Sequence, residues 1–277
     1  MTRAPRRIAA SVAVFSLALA FALAFALAFA APLVLSAQPG TPSHAAFDGV
    51  LRQHVRGGLV DYDAFERAPA FGAYLEMLAR TNPSTLPRAE QLAFWINAYN
   101  AYTIRQVNAH HERSSIKNIN KSGGLLSLGG AWKEKMATIG GTRYSLDQIE
   151  HERIRPVFHE PRVHFALVCA ALGCPPLRSE AYRAADLEQQ LDDQAREFLL
   201  HAPAKNRVDA AKKTVWLSPI FKWYGRDFGA NDAALQQALA RFFPSGAERD
   251  LLTAGRARIV WTDYDWSLNI TSKDTRP

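Results

Sequence analysis

The stretch from Ser84 to His110 leaves the chain the fewest ways to fold. Pro87 stands near its first turn, and Glu90 lies where the positive end of a helix favours an acid. Leu92, Trp95, Ile96, Tyr99, Thr103 and Val107 then recur at helical spacing on one broad face. A helix with such an apolar stripe has to be covered by other elements, so this one predicts a packed domain built around it. Asn97 and Asn100 lie three apart in mid-helix, where neither can cap an end. If buried, both need hydrogen-bond partners. They either brace neighbouring backbone or orient a substrate or a catalytic group.

Weaker signals surround this helix. Phe47–Val55 has amphipathic spacing and ends at Gly57-Gly58, and Phe65–Ala79 resumes it up to Asn82-Pro83. Residues 114–130 read as a loop, whose Ser122-Gly123-Gly124 can offer amides to an anion but lacks the Walker A pattern. Trp132–Ile139 and Thr142–Tyr144 around Gly140-Gly141 predict a hairpin. Ser145 and Gln148 form a capping box for a helix that carries Glu150 and His151 and is expected to stop at Pro156. Further on, Asp186–His201 and Ala233–Phe243 are helical, Arg207–Asp209 and Thr214–Leu217 flank a turn, Ser218-Pro219 opens a short helix, and Ala257–Trp261 is a strand.

The chain's two cysteines fall together in P-R-V-H-F-A-L-V-C-A-A-L-G-C-P-P-L, residues 161–177. Val163–Ala171 is an apolar run, consistent with a strand buried on both faces or with a buried helix. Gly173 and the two prolines end it and leave Cys174 at its exit.

The leader narrows where these thiols work. Arg3, Arg6 and Arg7 precede an uncharged apolar run, Ile8–Ala31, the grammar of a secretory signal. The run is also long enough to span a bilayer, which takes about 20 residues, so residues 1–37 are either a cleaved signal peptide or an uncleaved membrane anchor. Both place the remainder outside the cytoplasm, periplasmic or secreted, where two cysteines can pair. Residues 38–46 read as a linker, 47–270 as one globular domain and 271–277 as a tail. Of the formal charge of +7, the leader supplies three arginines; the remaining 30 basic and 26 acidic residues leave +4, scattered, without a basic block for nucleic acid.

The runs L-A-F-W-I-N-A-Y-N-A-Y-T-I, L-D-Q-I-E-H, P-R-V-H-F-A-L-V-C-A-A-L-G-C-P-P-L, L-S-P-I-F-K-W-Y-G-R-D-F and Y-D-W-S-L-N resemble, in order, those of the DUF547 family, across roughly Phe47 to Asn269. The resemblance implies a single α+β domain, here expected as amphipathic helices packed on a small mixed or antiparallel sheet. It carries no reaction, since the family is named for having none assigned, and fold likeness alone would not supply one.

The chemistry must come from the residues. A thiol nucleophile needs a base, a group to orient that base and donors for an oxyanion. Cys174 offers the thiol, His151 or His164 the base, and Glu150 or Asn97 the orienter, with Asn100, Arg162 and Trp95 as substrate contacts. This is the thiol–imidazole–carboxamide or carboxylate logic that recurs on unrelated folds. It points to a cysteine-dependent hydrolase or acyl transferase of the cell envelope, acting on a small molecule, a peptide or an envelope component without a cofactor. Against it stands a non-catalytic envelope binding domain, in which Cys169–Cys174 is a structural disulfide, His164 a core histidine, and Trp95, Trp223 and Trp266 form core and groove. A third reading has the two cysteines cycle in redox. No metal is expected: H-E occurs without a second histidine four residues on, and Cys-x4-Cys lies at the edge of zinc spacings.

Overall fold

The structure, a computed structural model, describes residues 42–119 and 130–271. The leader, the Ser122-Gly123-Gly124 loop and the tail after Thr271 lie outside the described residues.

The chain opens with helix α1 (Ala45–His54), a two-residue hairpin β1–β2 (Val55–Arg56, Leu59–Val60), and helices α2 (Tyr62–Arg67) and α3 (Pro69–Arg80). The linker expected up to residue 46 is shorter, because Ala45 and Ala46 already belong to α1 and His44 is buried against Tyr74. The single helix expected over 65–79 is two. Asp61 caps the first, and Pro69 starts the second at a position where a missing N–H costs nothing.

Helix α4 (Arg88–Ala109) is the centre of the domain. The sequence pattern gave it one apolar face, yet every residue from Leu92 to Ile104 is buried. Its carboxamides make this tolerable by pairing with backbone. Asn97 bonds both the carbonyl and the amide of Tyr182, at 2.7 and 2.9 Å. Asn100 bonds the Ala166 carbonyl and the Val168 amide, each at 2.9 Å. Gln106 reaches the Ala131 carbonyl and Asn108 the Tyr62 carbonyl.

The hairpin expected over 132–144 is shorter than predicted. Gly130–Lys133 is a helical turn, α5, and only β3 (Ala137–Ile139) and β4 (Thr142–Tyr144) pair. The capping box at Ser145 is present, with both reciprocal bonds, and opens α6 (Leu146–Gln148). A π-helical turn, Ile149–Ile154, follows and runs into α7 (Arg155–Phe158); Pro156 lies in the first turn of α7 and so does not end the helical run.

The apolar run after Pro161 resolves into one helical turn, α8 (Val163–Ala166), followed by extended backbone from Leu167. Then come α9 (Leu187–Leu200), the antiparallel pair β5 (Arg207–Asp209) and β6 (Thr214–Leu217), α10 (Pro219–Phe228), α11 (Asp232–Ala240), α12 (Ala247–Ala254) and β7 (Arg258–Trp261), which runs parallel to β6. The fold is thus α+β, with its described strands in three separate small sheets. Among the described residues no helix is long and apolar enough to cross a membrane.

Two apolar clusters form the interior. The larger surrounds α4; the smaller gathers Phe165, Phe198, Phe221, Leu239 and Phe242. Helix α8 belongs to both, since Val163 and Ala166 face the first cluster and Phe165 the second. The closing segment ties distant parts together. Asn269 accepts the Tyr62 hydroxyl at 2.6 Å and donates to the Gly58 carbonyl at 3.1 Å, while its amide reaches the Ala170 carbonyl. Thr271 donates to Val60.

Candidate functional site

A cavity of about 320 Å³ opens where the two clusters meet. Its walls carry Cys169, Cys174, His151, His164 and Glu150, so five of the residues singled out by sequence come together. Trp132, Trp223, Trp266, Tyr224 and Tyr264 supply most of the rest. Asn97, Asn100, Arg162 and Trp95 are not among the lining residues. Both asparagines are taken up by backbone. Arg162 is buried in ion pairs with Glu160, Glu188 and Asp192 at 2.6–2.7 Å, and Trp95 packs edge-on against Phe94 and Tyr144. Each therefore has a structural partner away from the cavity.

Cys169 and Cys174 form a disulfide. The loop between them turns through Ala170 at φ +59° and is pinned to the closing segment, Leu172 donating to Ser267 at 2.8 Å and Gly173 to Asp265 at 2.7 Å. Gly173 is required by close approach, because a Cβ there would meet the Tyr264 ring at 2.8 Å. Tyr264 places its hydroxyl 3.2 Å from Cys169 Sγ and 3.0 Å from Cys174 Sγ. Burial pushes the Tyr264 phenol well above its ordinary value, so it stays protonated and donates. The Cys169 amide donates to Cys174 Sγ at 3.2 Å.

The two imidazoles differ. His164, 4% exposed, lies against the Tyr224 ring with centroids 4.1 Å apart, and its Nε2 meets Asp227 Oδ2 at 2.7 Å. Arg155 grips the same carboxylate through Nε at 2.7 Å and Nη2 at 2.9 Å. His164 first, and Arg155 after it, hold Asp227 well below the usual carboxylate range. An ionised Asp227 accepts, so His164 donates from Nε2, and a neutral imidazole held this way has its lone pair on Nδ1. His151 is placed otherwise: Arg155 Nη1 donates to its Nδ1 at 2.7 Å, and Nε2 lies 3.5 Å from Asp147. Since arginine has no acceptor, the His151 lone pair is occupied. Of the two, His164 is the imidazole with no arginine hydrogen-bonded to its ring among the described residues.

Glu150 does not orient an imidazole. It sits on the π-helical turn, a form of irregularity frequent at functional sites. Its Oε1 is buried without a hydrogen-bond partner among the described residues, a cost of about 1–3 kcal/mol. Among the described residues no group of three or more His, Cys, Asp and Glu is disposed to hold a metal ion.

Residues 83–199 match a family profile described as "Protein of unknown function, DUF547". This stretch belongs to the DUF547 family. The DUF547 match contains both cysteines, His151, His164 and Glu150, while Tyr224, Trp223, Tyr264 and Trp266, which complete the cavity, and Asp227, which pairs with His164, lie beyond it. No curated protein and no solved structure matches the chain.

Asp227 and Tyr264 are the residues that sequence reasoning missed. The one signal for them was their place inside W-Y-G-R-D-F and Y-D-W-S-L-N, runs read for their aromatic content rather than for a carboxylate or a phenol.

Proposed function

We propose that this DUF547 domain is a cysteine-dependent hydrolase or acyl transferase of the cell envelope, active in its dithiol form. The observation that carries the proposal is that Cys174 and His164 line one cavity, with Asp227 hydrogen-bonded to His164 Nε2. In the oxidised state Cys174 has no proton to give, and among the described residues neither sulfur is hydrogen-bonded to an imidazole. Once the bridge is reduced, Cys174 becomes the nucleophile. His164 Nδ1 takes its proton, and Asp227 fixes the tautomer and stabilises the imidazolium. The thiolate then adds to an acyl carbonyl and the imidazolium protonates the leaving group. Water or a second acceptor releases the acyl group from the thioester. The basic, apolar leader and the disulfide, a bond that persists in oxidising compartments, support an envelope location, with the leader as either signal or anchor.

The test is to reduce the full chain, expose it to p-nitrophenyl acetate and map the acetyl group by peptide mass. The expected result is an acetylated Cys174 and a turnover that disappears in Cys174→Ala and falls at least about a hundredfold in His164→Gln. Acetylation that ignores Cys174, or none at all, sinks the proposal. The second reading, a binding domain with a structural disulfide, would then lead; it is favoured by the aromatic walls, above all Trp223, 48% exposed and stacked on Trp266.

A further inference from the structure

The disulfide is asymmetric in three respects. Cys169 is half-buried on the cavity wall, whereas Cys174 is 2% exposed. Cys174 Sγ accepts two hydrogen bonds, from the Cys169 amide and the Tyr264 hydroxyl, while Cys169 Sγ meets only the Tyr264 hydroxyl. The Lys205 ammonium, moreover, donates to the Cys174 carbonyl at 2.7 Å and so sets a cation next to that residue. A bridge that serves only to staple needs neither an open face nor an additional donor on one of its sulfurs.

We infer that this disulfide is a thiol–disulfide exchange centre for low-molecular-weight thiols, with Cys169 the sulfur attacked and Cys174 the sulfur that leaves. A thiolate entering the cavity bonds to Cys169 Sγ. The Cys169–Cys174 bond breaks, and its electron pair stays on Cys174 Sγ, where the amide and the phenol receive it. Exchange favours the better-stabilised leaving thiolate and the more accessible sulfur. A second thiol then attacks the outer sulfur of the mixed disulfide, releasing an external disulfide and Cys169 as a thiolate. Two external thiols are oxidised and the protein bridge gains two electrons. The loop does not depend on the bridge for its shape, because Leu172 and Gly173 remain bonded to Ser267 and Asp265. Cys174 therefore stays in place to close on Cys169 again, and the cycle runs in either direction. This activity does not depend on acyl transfer, although it would produce the dithiol that acyl transfer needs.

The experiment uses the oxidised full chain and limiting cysteamine, quenched with N-ethylmaleimide and mapped by peptide mass. Cysteamine is expected on Cys169 and maleimide on Cys174, in at least about tenfold excess over the reverse arrangement, and Tyr264→Phe is expected to slow formation about tenfold. An adduct mainly on Cys174, equal labelling of the two, or reaction only after denaturant is added overturns the inference. The wild-type map needs no variant to fold, and it reads no acyl chemistry, so its failure is distinct from failure of the acetylation test.

Discussion

Replacing Asp227 by Asn removes a charge and keeps the shape. Three charge-assisted hydrogen bonds converge on this carboxylate, one from His164 and two from Arg155, at 2.7–2.9 Å. The amide offers one acceptor where there were two, and its NH2 faces a donor. Bonds to charged groups contribute about 1.5–3 kcal/mol each, but Asp227 is about a quarter exposed and water weakens the pairing. The expected loss is about 2 kcal/mol, read as a lower urea midpoint at unchanged slope. Arg155→Met should cost a similar amount, and the double variant less than the sum, because both remove the two Arg155–Asp227 bonds. Acid should abolish the difference. His164 and Arg155 lower the folded pKa of Asp227 beneath its unfolded value of about 3.9. Its contribution is therefore complete above that value and fades as pH falls through the depressed folded one, where wild type and the Asn variant converge. A loss under about 0.5 kcal/mol near neutral pH, or strict additivity with Arg155→Met, would refute the shared-carboxylate reasoning.

Two further perturbations separate scaffold from site. His44 is buried with Nδ1 on the Tyr74 hydroxyl, and burial lowers its pKa from 6.5 to about 4, so the folded state resists a proton that the unfolded chain accepts. Stability should be complete above about pH 6.5 and fall by about 3 kcal/mol as pH drops to 4. His44→Asn should flatten that slope in thermal melts, and an unchanged slope would count against it. Asn100→Ala strands the Val168 amide and the Ala166 carbonyl inside the core. It should cost about 2–4 kcal/mol in urea unfolding while cysteamine still maps to Cys169; a stable variant with altered mapping would return Asn100 to the site.

Where the chain carried its signal locally, the sequence was legible. The Ser145–Gln148 box and the turn between β5 and β6 need only neighbours, and both formed where the residues indicate. The apolar run after Pro161 did not disclose its conformation, because burial on every side removes the periodicity that tells a strand from a helix. Mid-helix asparagines look alike whether they hold a substrate or a loop, and only the positions of Tyr182 and Val168 decide. Asp227 lies 63 residues from His164, a distance over which spacing has no predictive content. Cys169, Cys174, His151, His164 and Glu150, which share the cavity wall, were singled out because each bears reactive chemistry in a short motif. Their partners were missed because phenols and surface carboxylates are common.

Asn269 also has a consequence for synthesis. Its side chain joins the Tyr62 hydroxyl and the Gly58 carbonyl across more than 200 residues. At about 5–20 residues per second, a ribosome needs roughly 10–40 s to cover that interval. Throughout it, β1, β2 and the start of α2 have no permanent partner on that side, and the cysteine loop lacks the segment to which it is pinned. The cavity is thus among the last features to take shape, and an interrupted chain carries every residue of the DUF547 match without a finished site. The bridge need not wait. The chain has only two cysteines, five residues apart, so an oxidant meeting the nascent chain can form only one intramolecular disulfide, and can form it before the cavity exists.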